Sequence, residues 1–336
     1  MDALRRWLAA RLGAADVAIE DLRRHVEGWS WETYTFTAVL PDGERIGLAL
    51  RREPEDGLLA PYDIEGQYAL HRALVSETAL PMPRLRWLEL DRGPLGMPFY
   101  VMDRVEGHVP VQWKPDDPVA FPDDAARTAI GLQFVDLLAE LHETDPARLG
   151  YEAAADPEAA AVAEIDHWYE RYDAHAVRRV PLLEQAVAWL HANVVTSGRS
   201  VVCHGDYRIG NFMLDGNGRI NAVFDWELAH VSDPVEDIAW AALGLFRGRS
   251  PLWSHLLDES AFLERYEQRT GLAVTPEQLR FWTVLCYLKA SATHVRAAHA
   301  FEHGRPDLRL AAMGHQLQYV LDGLRRELRA AREVVR

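Results

Sequence analysis

The strongest chemical signal in the chain lies between Val201 and Trp240, in VVCHGDYRIGNFMLDGNGRINAVFDWELAHVSDPVEDIAW. This segment holds seven acidic and two basic residues, in a chain whose formal net charge is −15. Several of the carboxylates stand beside strand-like apolar residues, where an unpaired charge would be costly to bury. Magnesium would compensate such a charge, because it prefers oxygen ligands from a few side chains together with substrate phosphates. The segment therefore predicts a magnesium site.

The order and spacing of three polar residues narrow this prediction. Asp206 precedes Asn211 by five residues, and Asp225 follows beyond a turn at Gly216-Asn217-Gly218. Protein kinases place a catalytic Asp and a metal-binding Asn at that same interval, and a second metal-binding Asp on the following hairpin. Either motif alone is weak evidence. The ordered set, between apolar strands, is typical of phosphoryl-transfer enzymes.

The sequence of this segment is also similar to that of a known family. HGDYRIGN, FDWELA and SDPVEDIAW resemble the aminoglycoside phosphotransferase and choline-kinase-like family. Within this family, these motifs most resemble those of the phosphotransferases related to the kinase-like domain that is fused to some acyl-CoA dehydrogenases. FYVMDRVEGHVP resembles the family's hinge and HWYERYD its insertion, so the resemblance covers most of residues 26–300. It implies an α+β, two-lobed protein-kinase-like fold, with a small β-rich N-lobe carrying one helix and a large, mainly helical C-lobe.

The resemblance implies a role for each matching residue. Asp206 would orient or deprotonate the acceptor hydroxyl, while Asn211 and Asp225 would coordinate Mg²⁺ bridging the phosphates of ATP. Simple turn capping is the alternative for Asp206 and Asn211. Arg208 stands where many protein kinases carry a phosphate-contacting lysine, so a catalytic role at the γ-phosphate and a plain surface position both stay open. Asp233 matches the family's Asp that braces the catalytic loop.

The N-terminal part of the chain departs from the protein-kinase pattern. Lysine occurs only at Lys114 and Lys289, so the strand lysine that holds the α- and β-phosphates in protein kinases is missing. Arg51, fourteen residues before Glu65, is the candidate replacement, because a guanidinium group binds phosphate in a bidentate manner. An ordinary surface ion pair between Arg51 and Glu65 is the alternative.

The remaining nucleotide-binding candidates also differ from the usual motifs. The loop between the first strands contains a single glycine, Gly28, so the hydroxyls of Ser30 or Thr33 would have to assist the backbone in holding phosphates. The adenine would bind against the hinge near Met102 and Arg104. These departures make a nucleotide-binding pseudokinase, with little or no transferase activity, the alternative to a working enzyme.

Hydrophobic patterning places these residues in two predicted domains. Residues 1–104, with a first amphipathic helix, strands from about residue 23 and a helix over 62–76, form an expected nucleotide-binding lobe. Residues 105–336 form an expected catalytic and acceptor-binding lobe. Its predicted helices cover 123–143, 156–173, 181–197, 234–247, 258–270, 276–301 and 306–333, and Thr275 to Gln278 predict a capping box.

Composition limits the class of protein, its partners and its location. Of the 336 residues, 49% are hydrophobic and 26% charged, which is typical of globular proteins. The acidic balance argues against a nucleic-acid partner, no apolar run approaches the roughly 20 residues of a membrane span, and the two cysteines favour a cytoplasmic location. We therefore expect a small-molecule kinase that transfers the γ-phosphoryl group of ATP to a hydroxyl of a metabolite or antibiotic, with no obligate protein partner evident.

Overall fold

The computed structural model describes residues 2–25, 30–55 and 57–334. Gly28, the single glycine of the predicted phosphate loop, lies outside the described residues. The chain divides into two units: the first comprises residues 1–76 and 81–106, and the second comprises residues 77–80 and 107–336. Each unit has its own hydrophobic core.

A five-stranded antiparallel sheet forms the framework of the first unit. Its strands are β1 (Ala18–His25), β2 (Glu32–Val39), β3 (Arg45–Arg52), β4 (Leu85–Glu89) and β5 (Phe99–Asp103), arranged in the order β1-β2-β3-β5-β4. The sequence prediction began the strands near residue 23, whereas β1 begins at Ala18. Most side chains of β1 are exposed, so this edge strand carries little of the alternating apolar signal on which the prediction depended.

Two helices cover the faces of this sheet, α1 (Asp2–Leu12) and α2 (Ile64–Glu77). The predicted first helix is therefore confirmed. Successive side chains of a strand point to opposite faces, and β3 follows this rule. Leu48 and Leu50 share one core cluster with Leu8 of α1, whereas Ala49 belongs to a second cluster with Ile64 of α2. Arg51, two residues after Ala49, falls on the α2 face.

Helices dominate the second unit. They are α3 (Asp124–Glu143), α4 (Pro157–Asp173), α5 (Pro181–Ala192), α6 (Val235–Ala242), α7 (Gly244–Arg247), α8 (Glu259–Thr270), α9 (Pro276–Glu302), α10 (Leu308–His315) and α11 (Leu317–Val334). The long helix α9 packs against α4, α6, α10 and α11, and its side chains are buried along most of its length. Thr275 and Gln278 form the predicted capping box at its start. None of the helices in the described ranges is long and apolar enough to cross a membrane.

Four short strands in the second unit flank the motif residues. β6 (Val201–Cys203) pairs with β9 (His230–Ser232), and β7 (Phe212–Leu214) pairs with β8 (Ile220–Val223), both antiparallel. The segment 204–211 therefore joins β6 to β7, and the segment 224–229 joins β8 to β9. The two segments that hold the predicted catalytic and metal-binding residues start and end on paired strands.

Two predicted helices are interrupted, and a third is shorter than expected. The predicted helix 234–247 is wrong as a single element. The backbone of Leu243 leaves the helical conformation, with ψ of 130°, and this buried residue stands between α6 and α7. The predicted helix 306–333 is broken between α10 and α11 near Gly314, which lies against Ala298 so closely that a Cβ would be 2.7 Å away. α5 ends at Ala192 rather than at residue 197.

Candidate active site

The candidate catalytic loop runs from His204 to Asn211. Gly205 adopts a left-handed conformation with φ of +80°, and a Cβ atom there would lie 2.2 Å from the carbonyl oxygen of Leu228. Only glycine combines this backbone angle with such a close approach. The loop ends in a 3₁₀ turn over Ile209–Asn211. The glycine and the turn together fix where Asp206 stands.

Both carboxylate oxygens of Asp206 accept hydrogen bonds. Oδ1 accepts from the indole Nε1 of Trp240 at 2.7 Å, and Oδ2 accepts from the amide Nδ2 of Asn211 at 2.7 Å. The Nε of Arg208 lies 2.9 Å from Oδ1 and 3.1 Å from Oδ2. Trp240, Asn211 and Arg208 thus determine the orientation of the carboxylate, and the role of Asp206 as the base stays a prediction.

Arg208 is largely enclosed. Its side chain is 19% exposed, its Nη1 donates to the Oε1 of Gln112, and its guanidinium carbon lies 5.4 Å from the ring centroid of Phe246. The backbone carbonyl of Gln112 accepts in turn from Nε2 of His255. Arg208 therefore differs from a solvated surface arginine, and its predicted role in catalysis stays a prediction.

The β7–β8 hairpin brings the two predicted magnesium ligands to one end. The N–H of Phe224 donates to the carbonyl of Asn211 at 2.9 Å, which places Asn211 across the hairpin from the residue before Asp225. Asp225 is left-handed, with φ of 67° and ψ of 57°. A residue other than glycine adopts this conformation at an energetic cost, and such residues are frequent at functional sites.

The chemistry of this donor set fits magnesium. The Nδ2 of Asn211 donates to both the carbonyl and the carboxylate of Asp206, at 2.8 and 2.7 Å. The amide orientation is therefore fixed, and its Oδ1 is the atom that can serve as a ligand. An amide oxygen from Asn211 and carboxylate oxygens from Asp225 are the hard ligands that Mg²⁺ prefers.

His204 has both ring nitrogens engaged by the backbone. Its Nδ1 accepts from the N–H of Asp206 at 3.2 Å, and its Nε2 donates to the carbonyl of Phe224 at 2.8 Å. The residue is fully buried, and its ring lies 4.5 Å from that of Trp226. The imidazole therefore joins the segment 204–211 to the segment 224–229.

Asp237 braces the start of the catalytic loop. Its Oδ2 accepts from the N–H of His204 at 2.7 Å, and its Oδ1 accepts from the N–H of Gly205 at 2.9 Å. Burial alone would raise the pKa of Asp237, but the hydrogen bond and charge of His142 outweigh it and lower that pKa. The carboxylate thus stays ionised while fully buried.

The expectation that Asp233 braces the loop is therefore wrong. Its Oδ1 accepts from the N–H of Val235 at 2.9 Å and its Oδ2 from the N–H of Ser197 at 2.5 Å. Asp233 stands at the entry to α6, so its carboxylate binds the first turn of the helix, where the N–H groups have no partner within the helix. Asp237, one turn later, lies on the face that meets the catalytic loop.

Four charged side chains form a buried ion network behind the loop: Glu164, His230, Glu236 and Lys289. The Nζ of Lys289 lies 2.9 Å from Oε1 of Glu236, and the Nε2 of His230 lies 3.0 Å from Oε2 of Glu236 and 3.5 Å from Oε1 of Glu164. Glu236 is fully buried and Lys289 is 1% exposed. Two potential anions thus face two potential cations.

The pKa shifts within the network follow from this arrangement. Burial alone would lower the pKa of His230, but Glu236 and Glu164 outweigh it and raise this pKa to about 9. The same two carboxylates overcome the effect of burial on Lys289 and hold its pKa above the usual value. Burial would raise the pKa of Glu236, but Lys289 and His230 hold it well below its usual range. Glu236, His230 and Lys289 are therefore charged at neutral pH, and the two cations compensate the buried carboxylate of Glu236.

In the first unit, Arg51 lies directly across from Thr33 in the register of β2 and β3. Its guanidinium carbon is 5.4 Å from the ring centroid of Trp31. Burial, followed by the charge of Arg51, lowers the pKa of His71 to about 4. Ser30 is buried, with 7% of its surface exposed. The predicted roles of Arg51, Ser30 and Thr33 in holding phosphates stay predictions.

The other three candidates of the first unit are placed differently. Glu65 is exposed in the first turn of α2, and its pairing with Arg51 stays a prediction. Met102 is 6% exposed and lies in the core cluster on the α2 face. The N–H of Arg104 donates to the carbonyl of Gly47 at 3.0 Å. Nucleotide binding by these residues stays a prediction.

Comparison with known families shows which family the chain belongs to. The family model of the phosphotransferase enzyme family, APH, matches residues 3–282. The chain belongs to this family. This phosphotransferase is also 26% identical over 247 residues to the mouse protein acyl-CoA dehydrogenase family member 10, a match of 73% of this chain and 22% of that protein. It spans 22% to 32% of the length of the acyl-CoA dehydrogenase relatives compared.

Solved structures share the fold of this phosphotransferase. A Ralstonia eutropha protein, proposed to be an aminoglycoside phosphotransferase, superposes with a TM-score of 0.74 at 22% identity, covering 98% of both chains. A thermostable mutant of aminoglycoside phosphotransferase APH(4)-Ia, in a ternary complex with ADP and hygromycin B, superposes with a TM-score of 0.60 at 17% identity, covering 96% of this chain and 98% of that one. The predicted family and the protein-kinase-like α+β fold class are therefore confirmed.

Sequence reasoning missed three residues that contact the catalytic loop or its arginine. Trp240 ends the motif segment with no sequence sign of this contact, yet it donates to Asp206. Gln112 lies in a proline-rich loop without a motif, and only the fold brings it to Arg208. Lys289 was visible only as one of two lysines. A lysine within the apolar stretch LCYLKASA is the signal that could have marked it, because buried lysines are rare unless they are paired.

Proposed function

We propose that this phosphotransferase transfers the γ-phosphoryl group of ATP to a hydroxyl group of a small molecule, either a metabolite or an antibiotic. The observation that carries the proposal is the arrangement around Asp206. Its carboxylate is oriented by Trp240 and Asn211, and Asn211 in turn lies across the β7–β8 hairpin from the segment that carries Asp225. A fixed carboxylate beside an oxygen-rich magnesium site is what phosphoryl transfer to an alcohol requires.

In this proposal each residue of the site acts on a stated atom. Asp206 accepts the proton of the acceptor hydroxyl as that oxygen bonds to the γ-phosphorus and the bond from phosphorus to the bridging oxygen breaks, which releases ADP. Asn211 and Asp225 hold magnesium, which when bound neutralises charge on the phosphate oxygens. Arg208 adds a positive charge beside the reacting groups, and Arg51 holds the nonreacting phosphates.

Two features of the relatives support the donor and acceptor classes. APH(4)-Ia was crystallised with ADP and with AMP-PNP, and in both complexes with hygromycin B, which supports a nucleotide donor and a hydroxyl-bearing acceptor. The acyl-CoA dehydrogenase relatives support a hydroxylated metabolite instead of an antibiotic. The half-buried ring of Phe246, 5.2 Å from that of Trp240, would offer such a molecule an apolar surface near Asp206. A cytoplasmic location stays a prediction.

The alternative is a nucleotide-binding pseudokinase. Arg208 favours it in one respect, because its guanidinium group already binds both oxygens of the predicted base. A base in such an ion pair has to exchange that contact for the acceptor hydroxyl. Binding of ATP without turnover of any acceptor would be the result expected of a pseudokinase.

The test combines a substrate screen with two variants and a control. ATP consumption and thermal shift are measured with Mg²⁺ across aminoglycosides, macrolides, choline-like amines and hydroxyacyl compounds. With an acceptor that supports turnover, we expect Asp206→Ala and Asp225→Ala each to lower kcat by about 100- to 10,000-fold, while Asp116→Ala, at an exposed position, leaves it unchanged. Turnover retained in either site variant would contradict the assigned mechanism.

A further inference from the structure

Lys289 is the one lysine of the chain that lies in a core. It is 1% exposed in the middle of α9, whereas Lys114 is exposed. Its Nζ donates to the carbonyl of Gly205 at 2.7 Å and to Oε1 of Glu236 at 2.9 Å. Gly205 immediately precedes Asp206, so a buried ammonium group binds the peptide that carries the predicted base.

The position of this lysine is unusual on energetic grounds. Removing an ammonium group and a carboxylate from water is costly, and a buried ion pair is often no more stabilising than apolar residues of the same volume. The neighbours of Lys289 would accommodate an apolar side chain, since its ammonium group lies over the rings of Trp168 and Trp240, 5.5 and 4.9 Å from their centroids. Stability alone therefore does not account for the charge.

Three residues of α6 connect the charge of Lys289 with the catalytic loop. Glu236, Asp237 and Trp240 stand at positions i, i+1 and i+4 of that helix, and all three act on the catalytic loop. Asp237 binds the N–H groups before Asp206, Glu236 holds the ammonium of Lys289 on the Gly205 carbonyl, and Trp240 donates to the Asp206 carboxylate. Gly205, the residue before the base, thus has its N–H bound by an anion and its carbonyl bound by a cation.

Trp240 connects the two kinds of contact. One face of its ring lies beneath the Lys289 ammonium, while the N–H at its edge points to Oδ1 of Asp206. A cation over an indole ring attracts the ring's π-electrons and fixes the ring in place. The same charge therefore acts on Asp206 twice, once through its backbone and once through the hydrogen bond to its side chain.

We infer that Lys289 is a positioning residue for phosphoryl transfer, which holds the Gly205–Asp206 peptide and the Trp240 ring so that the Asp206 carboxylate faces the acceptor. This inference rests on the proposed function of Asp206. It assigns no contact with ATP or acceptor to Lys289. Loss of the charge should therefore lower kcat while the affinity for the nucleotide is retained.

The experiment removes the charge without leaving its partner unpaired. Lys289→Met alone leaves Glu236 buried without its ammonium partner and is expected to fold poorly. The informative variant is the double substitution Lys289→Met with Glu236→Gln, which keeps the shape of both side chains and removes both charges. Lys114→Met, the same substitution at the exposed lysine, is the matched control. Trp240→Phe retains a ring for the ammonium group and removes the N–H that binds Asp206.

Three measurements are made on each variant: kcat and KM for ATP with Mg²⁺, the Kd of AMP-PNP with Mg²⁺, and amide hydrogen exchange of the peptide covering residues 203–211. For the double variant we expect a folded protein, a Kd within about two-fold of wild type, faster exchange in 203–211, and a kcat lower by about 10- to 100-fold. Trp240→Phe should lower kcat without faster exchange, because the backbone contact of Lys289 remains.

The outcomes separate this inference from the proposed function. A folded double variant with wild-type kcat and wild-type exchange in 203–211 overturns the inference. So does a loss of kcat matched by an equal loss of nucleotide affinity, since this would be a general structural effect. If Asp206→Ala retains turnover, the assigned role of Asp206 fails, while the exchange measurement still reports whether Lys289 holds the loop.

Discussion

Raising the pH should destabilise the protein through one histidine of the buried ion network. His230 lies between Glu236 and Glu164, and these carboxylates raise its pKa from 6.5 to about 9. The unfolded chain loses the proton of this residue near pH 6.5, whereas the folded protein keeps it to about pH 9. Its contribution to stability is therefore complete below pH 6.5 and is lost as the pH rises through 9.

The size of the effect follows from the shift. A change from 6.5 to about 9 corresponds at most to about 3.5 kcal/mol, at about 1.4 kcal/mol per pKa unit. The side chain of His230 is 27% exposed, so solvent screening reduces this value. We expect the free energy of unfolding to fall by about 1–2 kcal/mol between pH 7 and pH 9 because of His230.

Urea unfolding at intervals of half a pH unit between 6.5 and 9.5 measures this dependence. His230→Gln keeps a hydrogen-bonding side chain without the titration, and should remove the decline between pH 7 and pH 8.5. Above that range the buried thiols of Cys203 and Cys286 add a decline of the same sign, because burial raises their pKa values while the unfolded thiols ionise near pH 8.5. His191→Gln, in an exposed ion pair with Asp166, is the control.

The reasoning would be refuted by a flat stability profile in the wild type between pH 7 and pH 8.5. It would be refuted equally by a His230→Gln variant whose profile declines as steeply as that of the wild type. Titration of His230 followed directly by NMR tests the same point, since a midpoint near 6.5 would mean that the two carboxylates do not act on this imidazole as described.

Two further predictions concern the loop and the first unit. Gly205→Ala should cost about 3 kcal/mol or more in unfolding free energy, because its Cβ would meet the Leu228 carbonyl. Gly150→Ala, with φ of +85° and no atom within 4 Å of the added Cβ, should cost only about 1 kcal/mol, and equal costs in urea unfolding would contradict the argument. Arg51→Met should weaken AMP-PNP binding about 10-fold in calorimetry. Arg51→Lys should restore it, and unchanged binding in the Met variant would exclude the phosphate role.

Much of the helical unit could be predicted because its signals are local. The capping box at Thr275 and the extent of the following helix depend on residues close in sequence, and the structure confirms both. The interval from Asp206 to Asn211 is local as well, and the two side chains are in contact. Motifs of this kind can be recognised in a sequence because all their residues belong to one turn or one loop.

The residues that hold the site in place could not be predicted, because they lie far from it in the sequence. Lys289 is 84 residues from Gly205, and Gln112 is 96 residues from Arg208. No periodicity joins residues so far apart, and only the packing of α9 against α6 brings Lys289 to the loop. The exchange of roles between Asp233 and Asp237 has a similar origin. Both stand in one short motif, and the direction of the helix decides which of them faces the loop.

The uneven exposure of the two lysines has a practical consequence for labelling. Lys114 is exposed in the segment that follows the first unit, while the ammonium group of Lys289 is enclosed by tryptophan rings and a carboxylate. Apart from the amino terminus, amine-reactive reagents therefore have one accessible target in the folded protein. A fluorophore or an affinity resin coupled through amines attaches two residues from Gln112, so a single conjugate reports on the surroundings of Arg208 without any engineered cysteine.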